Sequence, residues 1–239
     1  ELTYATHHQM EPVSNSRTRR KLSAYTGPMI IFVALLGLVS LLKMWGGPFW
    51  LASPQYWIFP LQTFVCGALL IFYWREYDLQ TPRQLFFVIG IALLVFVLWI
   101  SPQQFFGFAA RGDGFDPNVF ANQPSFYWAT ILLRFLRLVV VVPLVEEIFW
   151  RGFLLRYFIN EKFEEVPFGT FSSLSFAVVT IGFTLSHSTP DWPAAAVTGA
   201  LYNLVAYRTR SLSSCVLAHA ITNLALGLWI LRTGQWGFW

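Results

Sequence analysis

Seven apolar runs, near residues 28–43, 56–74, 83–100, 126–145, 171–188, 193–207 and 212–231, constrain this chain more than any other feature. An α-helix rises 1.5 Å per residue, so about 20 residues cross a hydrocarbon core of about 30 Å. Only 12% of the residues are charged and 56% are hydrophobic, with mean hydropathy +0.53. Soluble domains carry about twice that charge. In lipid the backbone must satisfy its own hydrogen bonds, which favours helices. The expected fold is all-α: a polytopic membrane protein of about seven (six to eight) transmembrane helices, bundled around a polar intramembrane cavity. Gly27-Pro28, Pro54, Pro82, Pro102, Pro167, Pro190 and Pro193 punctuate the joints.

Three regions follow from this layout. Residues 1–23 form a polar tail. Residues 24–125 carry the first helices and a long outer loop at 101–125, whose aromatics suit a membrane interface. Residues 126–239 form the core that carries the polar motifs. The basic run Arg17, Arg19, Arg20 and Lys21 precedes the first span, which lacks a small-residue cleavage site and reads as an uncleaved anchor. Cys66 and Cys215 lie in apolar runs and read as buried thiols, with no CxxC pattern. The net charge of +4 is ordinary for a membrane protein with one basic side, and no nucleic-acid partner is expected.

The charge census orients the bundle. With the N-terminus cytoplasmic, the inner set is Arg17, Arg19, Arg20, Lys21, Arg75, Arg83, Arg151, Arg156, Lys162, Arg208 and Arg210. The outer set is Lys43, Arg111 and Arg232, and Arg134 and Arg137 fall within a span. This distribution obeys the positive-inside rule. The aromatic Trp192, Trp229, Trp236 and Trp239 read as interfacial anchors.

Of all the acids, only Glu146 and Glu147 lie inside or at the edge of a span. His187 and His219 also sit in apolar segments, whereas His7 and His8 are in the tail. Charge at mid-bilayer costs about 2.5–3.5 kcal/mol on insertion scales, so such residues point to function or to a buried ion pair. Glu147 and Arg151 are four apart on a helix and can pair on one face. Glu146 is rotated about 100° from Glu147 and has no basic residue four positions on. It is therefore the candidate general base. Pro143 should loosen the helix beside it, and Gly152 permits close backbone approach. Phe183 and His187 share a helical face, as do His219 and Asn223. The imidazole and amide of the latter pair make a two-donor patch suited to an oxyanion. Arg134 and Arg137 are candidate members of a buried pair, or mark a segment not fully facing lipid.

The set Glu146-Glu147-xxx-Arg151-Gly152, then Phe183-xxx-His187, then His219-xxx-Asn223, resembles the signature of the CAAX-protease and bacteriocin-processing family of intramembrane glutamic endopeptidases. The stretch GALYNLVAYRTRSLSSCVLAHAITNL is similar to that family's last two helices. The resemblance covers roughly residues 126–231. It implies metal-independent cleavage of a peptide bond in or beside a membrane, with no cofactor. Glu146 matches the water-activating glutamate and His187 its assisting histidine. His219 and Asn223 match the oxyanion pair, and Glu147 and Arg151 the second acid and its ordering base. Phe183 supports this set. The implied partner is a membrane-associated protein or peptide, with lipidated chains and C-terminal sorting tails as candidates. The implied location is a prokaryotic plasma membrane. Two other classes are open: a non-catalytic scaffold or sorting component, and a zinc hydrolase using His187, His219 and a glutamate. HExxH is absent, which weighs against the commonest zinc arrangement.

One expectation conflicts with a single site. A straight span over 171–188 would place His187 near the outer surface. His219 lies about 10 Å into the following inward-starting span by helical rise.

Overall fold

The computed structural model describes residues 12–112 and 114–239. Residues 1–11, with Glu1, His7, His8 and Glu11, lie outside the described residues, as does Asp113. Each apolar run is a helix: α1 (Pro12–Trp45), α2 (Gln55–Phe72), α3 (Leu85–Phe105), α4 (Pro124–Tyr157), α5 (Ser173–Leu185), α6 (Trp192–Thr209) and α7 (Leu212–Thr233). The fold is an all-helical bundle, with no strand among the described residues. Five of these helices are long and apolar enough to cross a membrane: α1 from Arg17, α2, α3, α4 and α7. The other two, α5 and α6, form a hairpin packed against each other.

Three boundaries differ from expectation. Residues 12–23, expected as tail, are the first turns of α1, because proline at the first helical position needs no N–H partner. Helix α4 runs on to Tyr157 rather than ending near 145, so the Glu-Glu motif sits within it. Helix α5 has only 13 residues, about 20 Å of rise, because Ser186, Ser188 and Pro190 end it early. The Ser186 hydroxyl donates to Phe183 O (2.7 Å), and that of Ser188 to Asp191 Oδ2 (2.5 Å). Such local bonds compete with helix continuation.

Two polar ends fix the antiparallel order. At the basic end, Arg20 pairs with Glu76 (2.7 Å), while Lys21 and Arg156 flank Asp78 (3.4 and 3.9 Å). Ser214 Oγ accepts from Arg83 N (2.8 Å), and Gln84 Nε2 donates to Arg208 O (2.9 Å). At the opposite end, Arg111 pairs with Asp191 and stacks over Phe238 at 3.8 Å, and Gln103 Nε2 donates to Gln235 Oε1 (2.6 Å). Arg151, counted above with the inner basic set, is instead wholly buried in the bundle.

Helices α4 and α7 hold the centre. Helix α7 packs against α3, α6 and the middle of α4, and α1 packs against α2 and the later part of α4. The last contact depends on Gly152. A Cβ there would come 2.8 Å from the Tyr25 ring and 3.4 Å from Leu212 Cδ2. Tyr25 cannot easily give way. Its hydroxyl bonds Asp78 Oδ2 at 3.2 Å, and its ring lies against Tyr77 and Phe163, at 5.6 and 5.2 Å between centroids. Gly152→Val should therefore destabilise the bundle by about 1–3 kcal/mol through overpacking. Thermal unfolding in detergent micelles checks this, and an unchanged midpoint contradicts the packing described.

Candidate active site

Helix α4 is not a uniform α-helix. It is π-helical over Leu136–Val141, α-helical over Val142–Glu147 and π-helical again over Ile148–Leu154. A π-turn inserts an extra residue, and such segments are frequent at functional sites. Glu146 and Glu147 therefore sit on a short α-segment between two widened ones. Pro143 explains part of this. In π register the N–H of residue 143 would serve the carbonyl of Leu138, but proline has no N–H. Asn223 Nδ2, from α7, donates to Leu138 O instead, at 2.7 Å. The loosened turn and the asparagine on the neighbouring helix thus complete each other.

The two glutamates have different surroundings. Glu147 is fully buried, and its Oε1 accepts from Arg151 Nη1 (3.2 Å) and from His219 Nδ1 (2.9 Å). Arg151, also fully buried, donates from Nε to Asn203 Oδ1 (3.1 Å) and from Nη2 to Gly199 O (3.1 Å). Its guanidinium lies over Phe183 (4.9 Å) and Tyr202 (5.4 Å). Asn203 Nδ2 in turn donates to Thr180 Oγ1 (3.1 Å). One ion pair thus ties α4, α5, α6 and α7 together. Glu146 is only half-buried and lines a partly open cavity of about 280 Å³.

His187, His219, Asn223 and Phe183 line the same cavity. The structure thus brings Glu146, both histidines and the asparagine together, and sets Glu147 and Arg151 behind them. The depth offset between the two histidines persists along their helices, and one cavity bridges it. Measured from the basic end by helical rise, Glu146 lies 11 residues before Tyr157, about 16 Å, and His187 follows the start of α5 by 14, about 21 Å. His219 and Asn223 lie 7 and 11 residues into α7, about 10 and 16 Å. The cavity spans that range.

Hydrogen bonds set the imidazole tautomers. Phe183 O can only accept, so the His187 Nδ1–H donates to it (2.8 Å) and Nε2 keeps its lone pair. The Trp192 indole N–H holds the His187 carbonyl (3.0 Å), and the ring rests against Trp99 and Phe183. His219 Nδ1–H donates to the Glu147 carboxylate, leaving Nε2 as its other polar atom. Trp192, read above as an interfacial anchor, therefore also positions a cavity residue. Trp239, read the same way, lines the cavity itself. Among the described residues, no three His, Cys, Asp or Glu side chains are grouped to hold a metal ion.

The sequence reading missed Asn203, Tyr202, Ser186 and Trp239. An asparagine in the middle of an apolar helix was a usable signal for Asn203. Tyr202 was hidden among other aromatics, and its role shows only in space: its hydroxyl donates to Thr222 Oγ1 at 2.8 Å. The cavity also draws Met29, Phe32 and Leu36 from α1, and Val95 and Trp99 from α3. The site is therefore not confined to residues 126–239.

Residues 127–225 match the family model described as type II CAAX prenyl endopeptidase, Rce1-like. That segment contains Glu146, Glu147, Arg151, Phe183, His187, His219 and Asn223. The matched segment covers less than half of the chain. No curated protein and no solved structure matches the chain.

The buried ion pair makes a stability prediction. Arg151→Met leaves Glu147 without its cation and should cost about 3–5 kcal/mol. The double change Glu147→Gln with Arg151→Met should recover much of that loss, because no unpaired charge remains. Thermal unfolding of the three proteins in micelles decides it. Equal losses for the single and double variants contradict the account.

Proposed function

We propose that this protein is an intramembrane endopeptidase that hydrolyses a peptide bond with a water activated by Glu146. The observation that carries the reading is the cavity shared by Glu146 of α4, His187 of the turn after α5, and His219 and Asn223 of α7. A carboxylate that faces the cavity can take a proton from a water held there.

The chemistry is as follows. Glu146 takes a proton from water as the water oxygen attacks the scissile carbonyl carbon. His187, with Nε2 free to accept, orients that water. The carbonyl oxygen becomes an oxyanion facing His219 and Asn223. Because His219 Nδ1–H is committed to Glu147, Nε2 donates only when the ring is protonated. Asn223 offers the amide N–H not used on Leu138. Collapse of the tetrahedral species breaks the C–N bond, and Glu146 returns its proton to the leaving amine. Glu147, Arg151 and Asn203 hold the histidine rather than react.

The basic end of the bundle is placed in the cytoplasm, as the positive-inside rule requires. Substrates are membrane-associated chains that present an extended segment to the cavity, lipidated chains and C-terminal sorting tails among them.

The test uses the full chain in micelles with a library of apolar synthetic peptides, read by mass spectrometry. Glu146→Gln should abolish cleavage. His187→Ala should lower the rate by about 10²–10⁴, and His219→Ala and Asn223→Ala by about 10²–10³ each. A zinc chelator should leave the rate unchanged. Full activity in Glu146→Gln would overturn the reading, and chelator-sensitive activity with stoichiometric zinc would favour a metal hydrolase.

A further inference from the structure

The same cavity holds a second feature that the hydrolytic step does not use. Arg134 lines it from α4 and is only 6% exposed. Its Nε and Nη1 have no hydrogen-bond partner among the described residues. The guanidinium is flanked by aromatic rings, Phe115 at 4.7 Å, Phe59 at 5.0 Å and Trp239 at 5.9 Å. Arg137 lines the cavity as well, 5% exposed, but is held differently. Its Nε donates to Gln62 Oε1 (2.7 Å), and Gln62 Nε2 donates to Phe32 O (2.7 Å). Neither arginine has an acidic side chain within ion-pair distance among the described residues.

A guanidinium stays protonated even when buried, and its fork of donors matches a carboxylate. Aromatic faces offset part of its desolvation but satisfy none of its in-plane N–H groups. An arginine serving only structure would be paired, as Arg151 is. Arg134 instead lines the cavity that Glu146 faces with its buried Nε and Nη1 unpaired.

We propose that Arg134, with Arg137 beside it, is the receptor for a carboxylate of the substrate peptide. This rests on the reading of the cavity as a peptide site. Arg134 precedes Glu146 by 12 residues on one helix, about 18 Å of rise. An extended chain advances about 3.3 Å per residue, so the scissile bond lies within about five residues of the anchored carboxylate. The carboxylate is supplied either by the chain's C-terminus or by an Asp or Glu side chain near the cut.

The test measures binding without turnover, in full-length Glu146→Gln protein in micelles, by tryptophan fluorescence and calorimetry. The probes are an acetylated apolar pentapeptide with a free C-terminus, its C-terminal amide, and an amide with glutamate at the last position. The free acid should bind roughly tenfold or more tightly than the plain amide, the worth of a charge-assisted hydrogen bond. Adding Arg134→Met should erase that preference, and Arg134→Lys should keep part of it. Restored affinity in the glutamate amide assigns the site to any nearby carboxylate, whereas affinity for the free acid alone assigns it to the C-terminus. Arg134→Met should unfold no lower than its parent, since it removes an unpaired buried charge. If it does unfold, Arg134→Gln supplies the neutral comparison. Equal binding of all three probes, no binding of any, or a preference that survives loss of Arg134 overturns the proposal. If the preference holds while the wild-type protein cleaves no peptide, the hydrolytic reading fails and the carboxylate receptor stands.

Discussion

The Arg151–Glu147 pair is the interaction on which the rest of the architecture depends. Two charges in a dry interior are tolerable only when their remaining hydrogen-bonding groups are occupied. Arg151 uses Asn203 and the Gly199 carbonyl, and Glu147 Oε1 uses His219, while its Oε2 is buried without a partner among the described residues. Each requirement fixes a partner on a different helix. The lateral order of α4, α6 and α7 is thus enforced by polar groups, since apolar packing against lipid tails gives helices little reason to choose neighbours. The same network fixes the tautomer and tilt of His219 and keeps its Nε2 on the cavity side.

A second constraint is steric. Helix α4 must place Glu146 on a cavity and Glu147 in a dry pocket, only one residue apart. The rotation between adjacent positions separates the two, and the π-helical stretches on either side adjust where each points. Those stretches leave backbone groups needing partners, and Asn223 on Leu138 O is one such partner. The helix irregularity and the site are therefore one construction.

Much of this was legible in the chain. The seven helices followed from hydropathy, because water exclusion leaves the backbone few alternatives. The pairing of Glu147 with Arg151 follows the four-residue spacing, which places them on one helical face. What the sequence could not supply was curvature and partners at a distance. Nothing local showed that α4 would run on to Tyr157, that α5 would stop after 13 residues, or that Trp239 would fold back over Arg134. The offset in depth between His187 and His219 is real, and a cavity that reaches both makes them members of one site. Arg134 and Arg137 were noticed as intramembrane charges, but only their surroundings separate them. One rests on Gln62, and the other has donors to spare.

The central claim is that Glu146 activates water rather than attacking the peptide itself. Single-turnover cleavage in heavy-oxygen water tests it most directly, followed by mass spectrometry of both the product and the enzyme's own peptide containing residue 146. The account predicts one labelled oxygen in the new carboxylate of the product and none in Glu146. Label appearing in Glu146 would show that its carboxylate had joined the substrate covalently, and would contradict the mechanism.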